Sequence, residues 1–257
     1  MMSQLKKVLK GSLKQVGIRV GSYGRLQGLE DYQKDVDALL ALPAERLTRL
    51  VSLMQKSKSQ LHQDLFVLSE LDFKKNGYFV EFGATNGIDL SNTHLLEKEF
   101  GWKGILAEPA KCWHQALKEN RSCSIETNCV WRDSTSILNF NEVDEAELST
   151  ISSYKNADMH RHSRGGGRGY TVNTISLDDL LKKYNAPKEI DYLSIDTEGS
   201  EFEILNSFTF SQYRFNVITC EHNFTPMREK LLKLLGENGY VRRFTGLSKW
   251  DDWYVRY

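Results

Sequence analysis

Residues 78–87 read YFVEFGATNG: an apolar strand that closes on Glu81, turns at Gly83, and reaches a second glycine at Gly87. A glycine turn between strand and helix usually cradles a phosphate, because bare backbone N–H groups can approach the ligand. A dinucleotide site needs G-x-G-x-x-G, and here Thr85 stands where the second glycine would be. No G-x-x-x-x-G-K-[ST] occurs anywhere, which argues against a nucleoside triphosphatase. The carboxylate of Glu81 just before the turn favours a positively charged ligand instead.

Working outward, the same grammar repeats. The strand GILAE ends at Glu108, about twenty residues after the turn, where an acid can hold two ribose hydroxyls. Two strand-end acids around a wide glycine turn suit a nucleoside that carries an amino acid and no phosphate. S-adenosylmethionine is such a molecule. The competing reading makes Glu81 and Glu108 ordinary surface acids at strand ends.

Strand and helix patterns then alternate: SNTHLLEKEF as a helix capped at Ser91 or Asn92, WHQALKEN as the next helix, and SIETNCVW as a third strand. Residues 133–169 interrupt with a polar, glycine-rich stretch in which no periodicity is strong enough to assign. YTVNTIS reads as a strand, and SLDDLLKKY as a helix capped by Ser176 with Asp179 three residues on. IDYLSID and FNVITCEHN are further buried strands. Thr225-Pro226 opens the helix MREKLLKLLGENG, and YVRRFT with DWYVRY reads as a terminal hairpin. Such alternation predicts an α/β fold, a mostly parallel sheet with helices on both faces and one antiparallel hairpin at the end. Residues 1–58 are predicted as a helical extension and 59–257 as the main domain. Leu5, Val8, Leu9 and Leu13 form a short apolar stripe near the N-terminus, which reads as a packed or frayed helix, or as a contact for a membrane or a second subunit.

Composition narrows the options. The chain has 257 residues, and its 34 Lys and Arg balance its 34 Asp and Glu, which disfavours a general nucleic-acid binder. The four cysteines form no C-x-x-C pair and read as reduced thiols. No apolar run approaches the roughly 20 residues of a membrane helix, and the basic N-terminal stretch lacks the continuous apolar centre of a signal peptide. A cytoplasmic location is therefore expected, with homodimerisation left open.

Three segments in order, GYFVEFGATNGIDLSNTHLLEKEFGWKGILAEP (77–109), TISLDDLL (174–181) and IDYLSIDTEGSEFEIL (190–205), resemble the FkbM-type S-adenosylmethionine-dependent methyltransferases of the class I Rossmann-like fold. The resemblance runs from about Gln60 to near the C-terminus. It implies a seven-stranded sheet completed by the final hairpin. It also implies that Glu81, Gly83, Ala84, Thr85, Gly87 and Ser91 hold the methionine part of the donor, and that Glu108 with Pro109 takes the ribose. Adenine contacts fall to Asn128 and Cys129, and Asp196 closes the donor site. Members commonly methylate oxygens of sugars or related natural products, so the resemblance points to a sugar hydroxyl acceptor, such as a nucleotide-activated sugar for polysaccharide or glycoconjugate synthesis. Another small natural product as acceptor, or a non-catalytic S-adenosylmethionine-binding module, are the alternatives.

Methyl transfer needs a positioned nucleophile and help in removing its proton. Asp196 ends the strand LSID, and Glu221-His222-Asn223 ends VITCEHN, side by side in a parallel sheet. Hard oxygen ligands with one imidazole suit Mg²⁺ or Mn²⁺, so Asp196, Glu221 and His222 are the candidate metal ligands. The other catalytic reading makes His222 a metal-free base, and the non-catalytic one makes these groups helix-end and core partners. Glu198 joins the catalytic candidates, while Glu201 reads as a helix-dipole partner. Arg164 and Arg168, set among glycines, are candidates to grip an anionic acceptor.

Overall fold

The computed structural model describes residues 40–143, 149–154 and 167–257, together with 33, 34, 36 and 37. The N-terminal stripe at residues 5–13 and the Arg164 part of the glycine-rich stretch lie outside the described residues. Residues 1–40 and 41–257 form separate compact units. Helix α1 (Leu47–Met54) packs on α2 (Gln63–Glu70) within the second unit.

The main sheet is built of seven strands, the central ones largely apolar, as strands covered on both faces must be. These are β1 (Tyr78–Phe82), β2 (Lys103–Ala107), β3 (Ser124–Glu126), β8 (Glu189–Ile195), β9 (Arg214–Glu221), β10 (Tyr240–Arg243) and β11 (Asp251–Arg256). Their order is β10-β11-β9-β8-β1-β2-β3, all neighbours parallel except those of β11, which runs antiparallel to both β9 and β10. The connecting helices are α3 (His94–Phe100), α4 (His114–Asn120), α5 (Leu177–Lys183), α6 (Glu201–Ser207) and α7 (Met227–Glu237). The predicted cap of α5 is present, with the Ser176 hydroxyl accepting from the Asp179 N–H.

Two expectations change. SIETNCVW is not one strand: β3 ends at Glu126, and Cys129–Trp131 (β4) leaves the main sheet to pair with β7 (Arg168–Ser176). Glu126 itself accepts the Asn128 N–H at 2.9 Å and thereby makes the break. The stretch 133–169 also contains β5 (Ile137–Glu142) and β6 (Thr150–Ile151), which complete a second sheet in the order β4-β7-β5-β6. Phe140, Ile151, Val172 and Trp131 form its apolar face.

The order of the main sheet has one consequence for function. The carboxyl ends of β1, β2, β8 and β9 share one edge, and antiparallel β11 brings its first residue to that edge, with Asp251 opposite Glu221. Trp253, fully buried, anchors β11 by stacking on Phe66 of α2 with ring centroids 4.7 Å apart. Trp253→Ala is expected to cost about 3–5 kcal/mol through the cavity left behind, read as a lower urea midpoint at unchanged slope.

Candidate active site

At the shared edge lies a cleft between the main sheet and the second sheet. The glycine turn forms its floor. Gly83 has φ +75°, and a Cβ there would sit 1.9 Å from the Asp196 carbonyl oxygen, so only glycine lets β1 and β8 close this tightly. Its N–H donates to the Ala107 carbonyl, which carries the β1–β2 ladder into the turn.

Glu108 then fixes the turn from the other side. Its carboxylate accepts the Thr85 N–H on one oxygen and the Ala110 N–H on the other, both at 2.8 Å. Burial pushes its pKa up to about 7 against the pull of those two N–H groups. A carboxylate has about four lone-pair sites, so two remain for a ligand's hydroxyls. Glu81 is more heavily committed. It accepts the Asn92 N–H at 2.7 Å and the hydroxyls of Ser91 and Thr93, with the Arg121 guanidinium 3.9 Å away. Burial raises its pKa, and Arg121 opposes the rise. Glu81 thus braces the loop that leads into α3 and keeps about one site for a ligand's ammonium.

Arg121, which sequence reasoning missed, is the centre of that brace. It is buried and donates to the Gly87 carbonyl, to Ser91 and Thr93, and to Glu97. Its charge and the Ser122 N–H outweigh burial at Glu97 and hold that carboxyl at about 2. Gly87, at φ +80°, faces the Arg121 side chain. Of the predicted donor contacts, Glu81, Gly83, Thr85, Glu108, Pro109, Cys129 and Asp196 line the cleft. Ala84 and Ser91 are buried in support of the turn, and Asn128 lies outside the lining with its N–H on Glu126. Phe140 and Ile151 of the second sheet line the opposite wall; they come from the stretch in which no pattern was assigned.

At one end of the cleft three carboxylates converge. Asp196, Glu198 and Glu221 place one oxygen each within 4.8 Å of one another. Burial, then the charges of Asp196, Glu198 and Glu201, drive the Glu221 pKa far above the usual carboxylate range. Glu198 has φ +58° and accepts from the Asn223 amide at 3.2 Å, while the hydroxyl of Thr150 in β6 donates to its carbonyl at 3.0 Å. Glu201 accepts the N–H groups of Thr197 and Gly199 and serves the turn before α6.

His222 is not part of this group. Its Nδ1 accepts the Phe224 N–H at 3.0 Å, and its Nε2 faces Asp252 at 3.7 Å on the side where Arg228 grips Asp252 with two hydrogen bonds. Burial lowers its pKa. The imidazole predicted as metal ligand or base therefore points into a structural ion cluster, and Glu198 takes its place among the carboxylates. Arg168 stands opposite Glu142 in the β5–β7 ladder and is absent from the cleft lining; Arg164 is outside the described residues.

The FkbM methyltransferase domain matches residues 81–242, well over half of the chain. The chain belongs to that family. It is a methyltransferase, and its methyl donor is S-adenosylmethionine. Solved structures similar to this FkbM-domain chain include an FkbM methyltransferase from Methylobacillus flagellatus KT, at 13% identity and a TM-score of 0.47, covering 87% of this chain and 58% of that one. A precorrin-6y C5,15-methyltransferase from Geobacter metallireducens GS-15 is similar at 10% identity and a TM-score of 0.41, covering 75% of this chain and 85% of that one. No curated protein matches it in sequence. No helix among the described residues is long and apolar enough to cross a membrane.

The donor set fits that cofactor: Glu108 offers the ribose two acceptor sites, Gly83 and Thr85 give backbone access, and Cys129, Val130 and Phe140 supply an apolar flank for a purine. Because burial raises the Glu108 pKa, its ionisation costs folding stability, a cost absent below the ordinary value near 4.5 and complete above about 7. The stability of Glu108→Gln relative to wild type is expected to improve from pH 5 to pH 8, by up to about 3 kcal/mol, in urea titrations at each pH.

Proposed function

We propose that this FkbM methyltransferase is an O-methyltransferase that acts on a sugar hydroxyl, carried on a nucleotide-activated sugar for polysaccharide or glycoconjugate synthesis. We further propose that a divalent cation assists it. The observation that supports this reading best is the convergence of Asp196, Glu198 and Glu221 beside the donor cleft. Three carboxylate oxygens this close form a hard donor set of the kind that suits a divalent cation.

In this mechanism the chain's residues divide the work. Glu108 would hold the donor's ribose, Gly83 and Thr85 its methionine part, and Glu81 its ammonium. S-adenosylmethionine supplies an activated methyl group for in-line displacement. Asp196, Glu198 and Glu221 would hold Mg²⁺ or Mn²⁺, whose chemistry is to lower the pKa of an acceptor hydroxyl. The wall from Phe140 and Ile151 excludes water, which would otherwise compete for the methyl. The sequence offers no double-proline amine-methylation motif, since Pro43, Pro109, Pro187 and Pro226 are all isolated, and this favours oxygen over a base nitrogen.

A second reading dispenses with the ion: burial and its acidic neighbours make the Glu221 carboxylate a stronger base than an ordinary one, suited to taking the hydroxyl proton directly when ionised. Chelation separates the two. With a nucleotide-sugar panel assayed by mass gain of one methyl, exhaustive chelation is expected to abolish turnover, and Mg²⁺ or Mn²⁺ to restore it; full activity in chelator assigns the proton to Glu221. Either way, Glu221→Gln is expected to lower kcat at least about a hundredfold while S-adenosylhomocysteine affinity, measured by calorimetry, stays within about twofold.

A further inference from the structure

Strand β6 belongs to the second sheet, and its neighbourhood alternates in what it touches. Ser149 and Ile151 line the cleft, whereas Thr150 between them is 1% exposed and reaches the loop that follows β8. Its hydroxyl donates to the Glu198 carbonyl at 3.0 Å and lies 3.5 Å from the Thr197 carbonyl. A hydroxyl has one proton, so the shorter contact is the bond. This loop needs holding. Glu198 has φ +58° and Gly199 φ +119°, and a left-handed backbone at a glutamate persists only where its surroundings impose it. Glu201 satisfies the Thr197 and Gly199 N–H groups from within the loop, while Thr150 grips the Glu198 backbone from the other sheet.

Tyr154 adds a second support. Its N–H closes a turn on the Ile151 carbonyl at 2.8 Å, and its ring lies against Gly199, where an added Cβ would come within 3.0 Å of Tyr154 Cδ1. Strand β6 is itself fixed on β5, with Thr150 opposite Asn141 and Ile151 opposite Phe140. Contacts thus run unbroken from the second sheet into the loop bearing Glu198, whose carboxylate the Asn223 amide meets at 3.2 Å beside Asp196 and Glu221.

We propose that Thr150 is a positioning residue for methyl transfer: backed by Tyr154, it locks the Glu198 backbone in its left-handed turn and so keeps that carboxylate converged with those of Asp196 and Glu221. This deepens the function proposed above and rests on the role given there to the three carboxylates. Without the hydroxyl, the Glu198 carbonyl loses this donor, and the turn relaxes to a right-handed backbone that carries the side chain out of the group. Valine keeps the shape and branching of Thr150 and removes only the hydroxyl; serine keeps the hydroxyl and removes only the methyl. The two substitutions separate the hydrogen bond from packing.

The test uses the full chain saturated with S-adenosylhomocysteine, with Mn²⁺ as the probe and electron paramagnetic resonance to follow its uptake. Thr150→Val is expected to weaken Mn²⁺ binding at least about tenfold, the scale of a lost partner behind a metal ligand, and Thr150→Ser to return it to within about threefold of wild type. S-adenosylhomocysteine affinity is expected to change less than about twofold in both. Tyr154 is partly exposed, so Tyr154→Leu keeps the test valid if Thr150→Val does not fold, and it is expected to weaken Mn²⁺ binding in the same direction. A crystal structure of the folded variant reads the same point without the ion: Glu198 is expected at negative φ, its carboxylate withdrawn from the other two. Wild-type Mn²⁺ affinity in the variant, a serine no better than the valine, or a Glu198 that keeps its left-handed turn overturns the role of Thr150. Absence of Mn²⁺ uptake by the wild-type chain would instead overturn the proposed ion, and the crystal structure then decides the role of Thr150 by itself.

Discussion

The approach of Gly83 to the backbone of Asp196 sets the geometry on which the rest depends. Parallel strands that end side by side normally splay as their loops diverge, because side chains on the first loop residues collide. Here the missing Cβ lets the turn after β1 lie against the end of β8, closer than any other residue would permit. That contact brings the donor turn and the carboxylates after β8 to the same few ångströms. The turn and the carboxylates proposed to serve donor and acceptor are thus positioned by backbone packing, which is how a displacement reaction gains most from alignment.

The acids at this edge fall into two kinds. Glu108, Glu81 and Glu201 spend their lone pairs largely on the chain's own N–H and O–H groups, and so convert loop backbone into fixed shape. Asp196, Glu198 and Glu221 instead converge on one another, one oxygen of each within 4.8 Å of the others. Like charge gathered at a cleft marks a candidate functional site.

Much of this was legible in the sequence, for physical reasons that can be named. Strands β1, β2, β8 and β9 each show an apolar run long enough to be covered on both faces, and each ends on or beside an acid, so both the parallel sheet and its functional edge could be read. The second sheet could not. Ile137–Glu142 mixes apolar and polar residues, and its partner Arg168–Ser176 lies far along the chain, so only the tertiary pairing makes it a strand. His222 misled because successive residues along a strand point to opposite faces: Glu221 shares its face with Asp251, whereas His222 faces Asp252. Asp251 was overlooked for another reason. It begins its strand, and only the antiparallel direction of β11 turns a strand's start into a neighbour of other strands' ends.

The β5–β7 ladder carries a further implication for how such enzymes diversify. Glu142 pairs with Arg168, and Asn141 with both Gly169 and Thr150, so the chain departs from the second sheet and rejoins it at a single rung. Closing a longer excursion costs only logarithmically more entropy. Length changes between β6 and β7 are therefore cheap in loop entropy while the register beneath stays fixed, but β6 itself is not exchangeable, since Ile151 walls the cleft and Thr150 holds the Glu198 carbonyl.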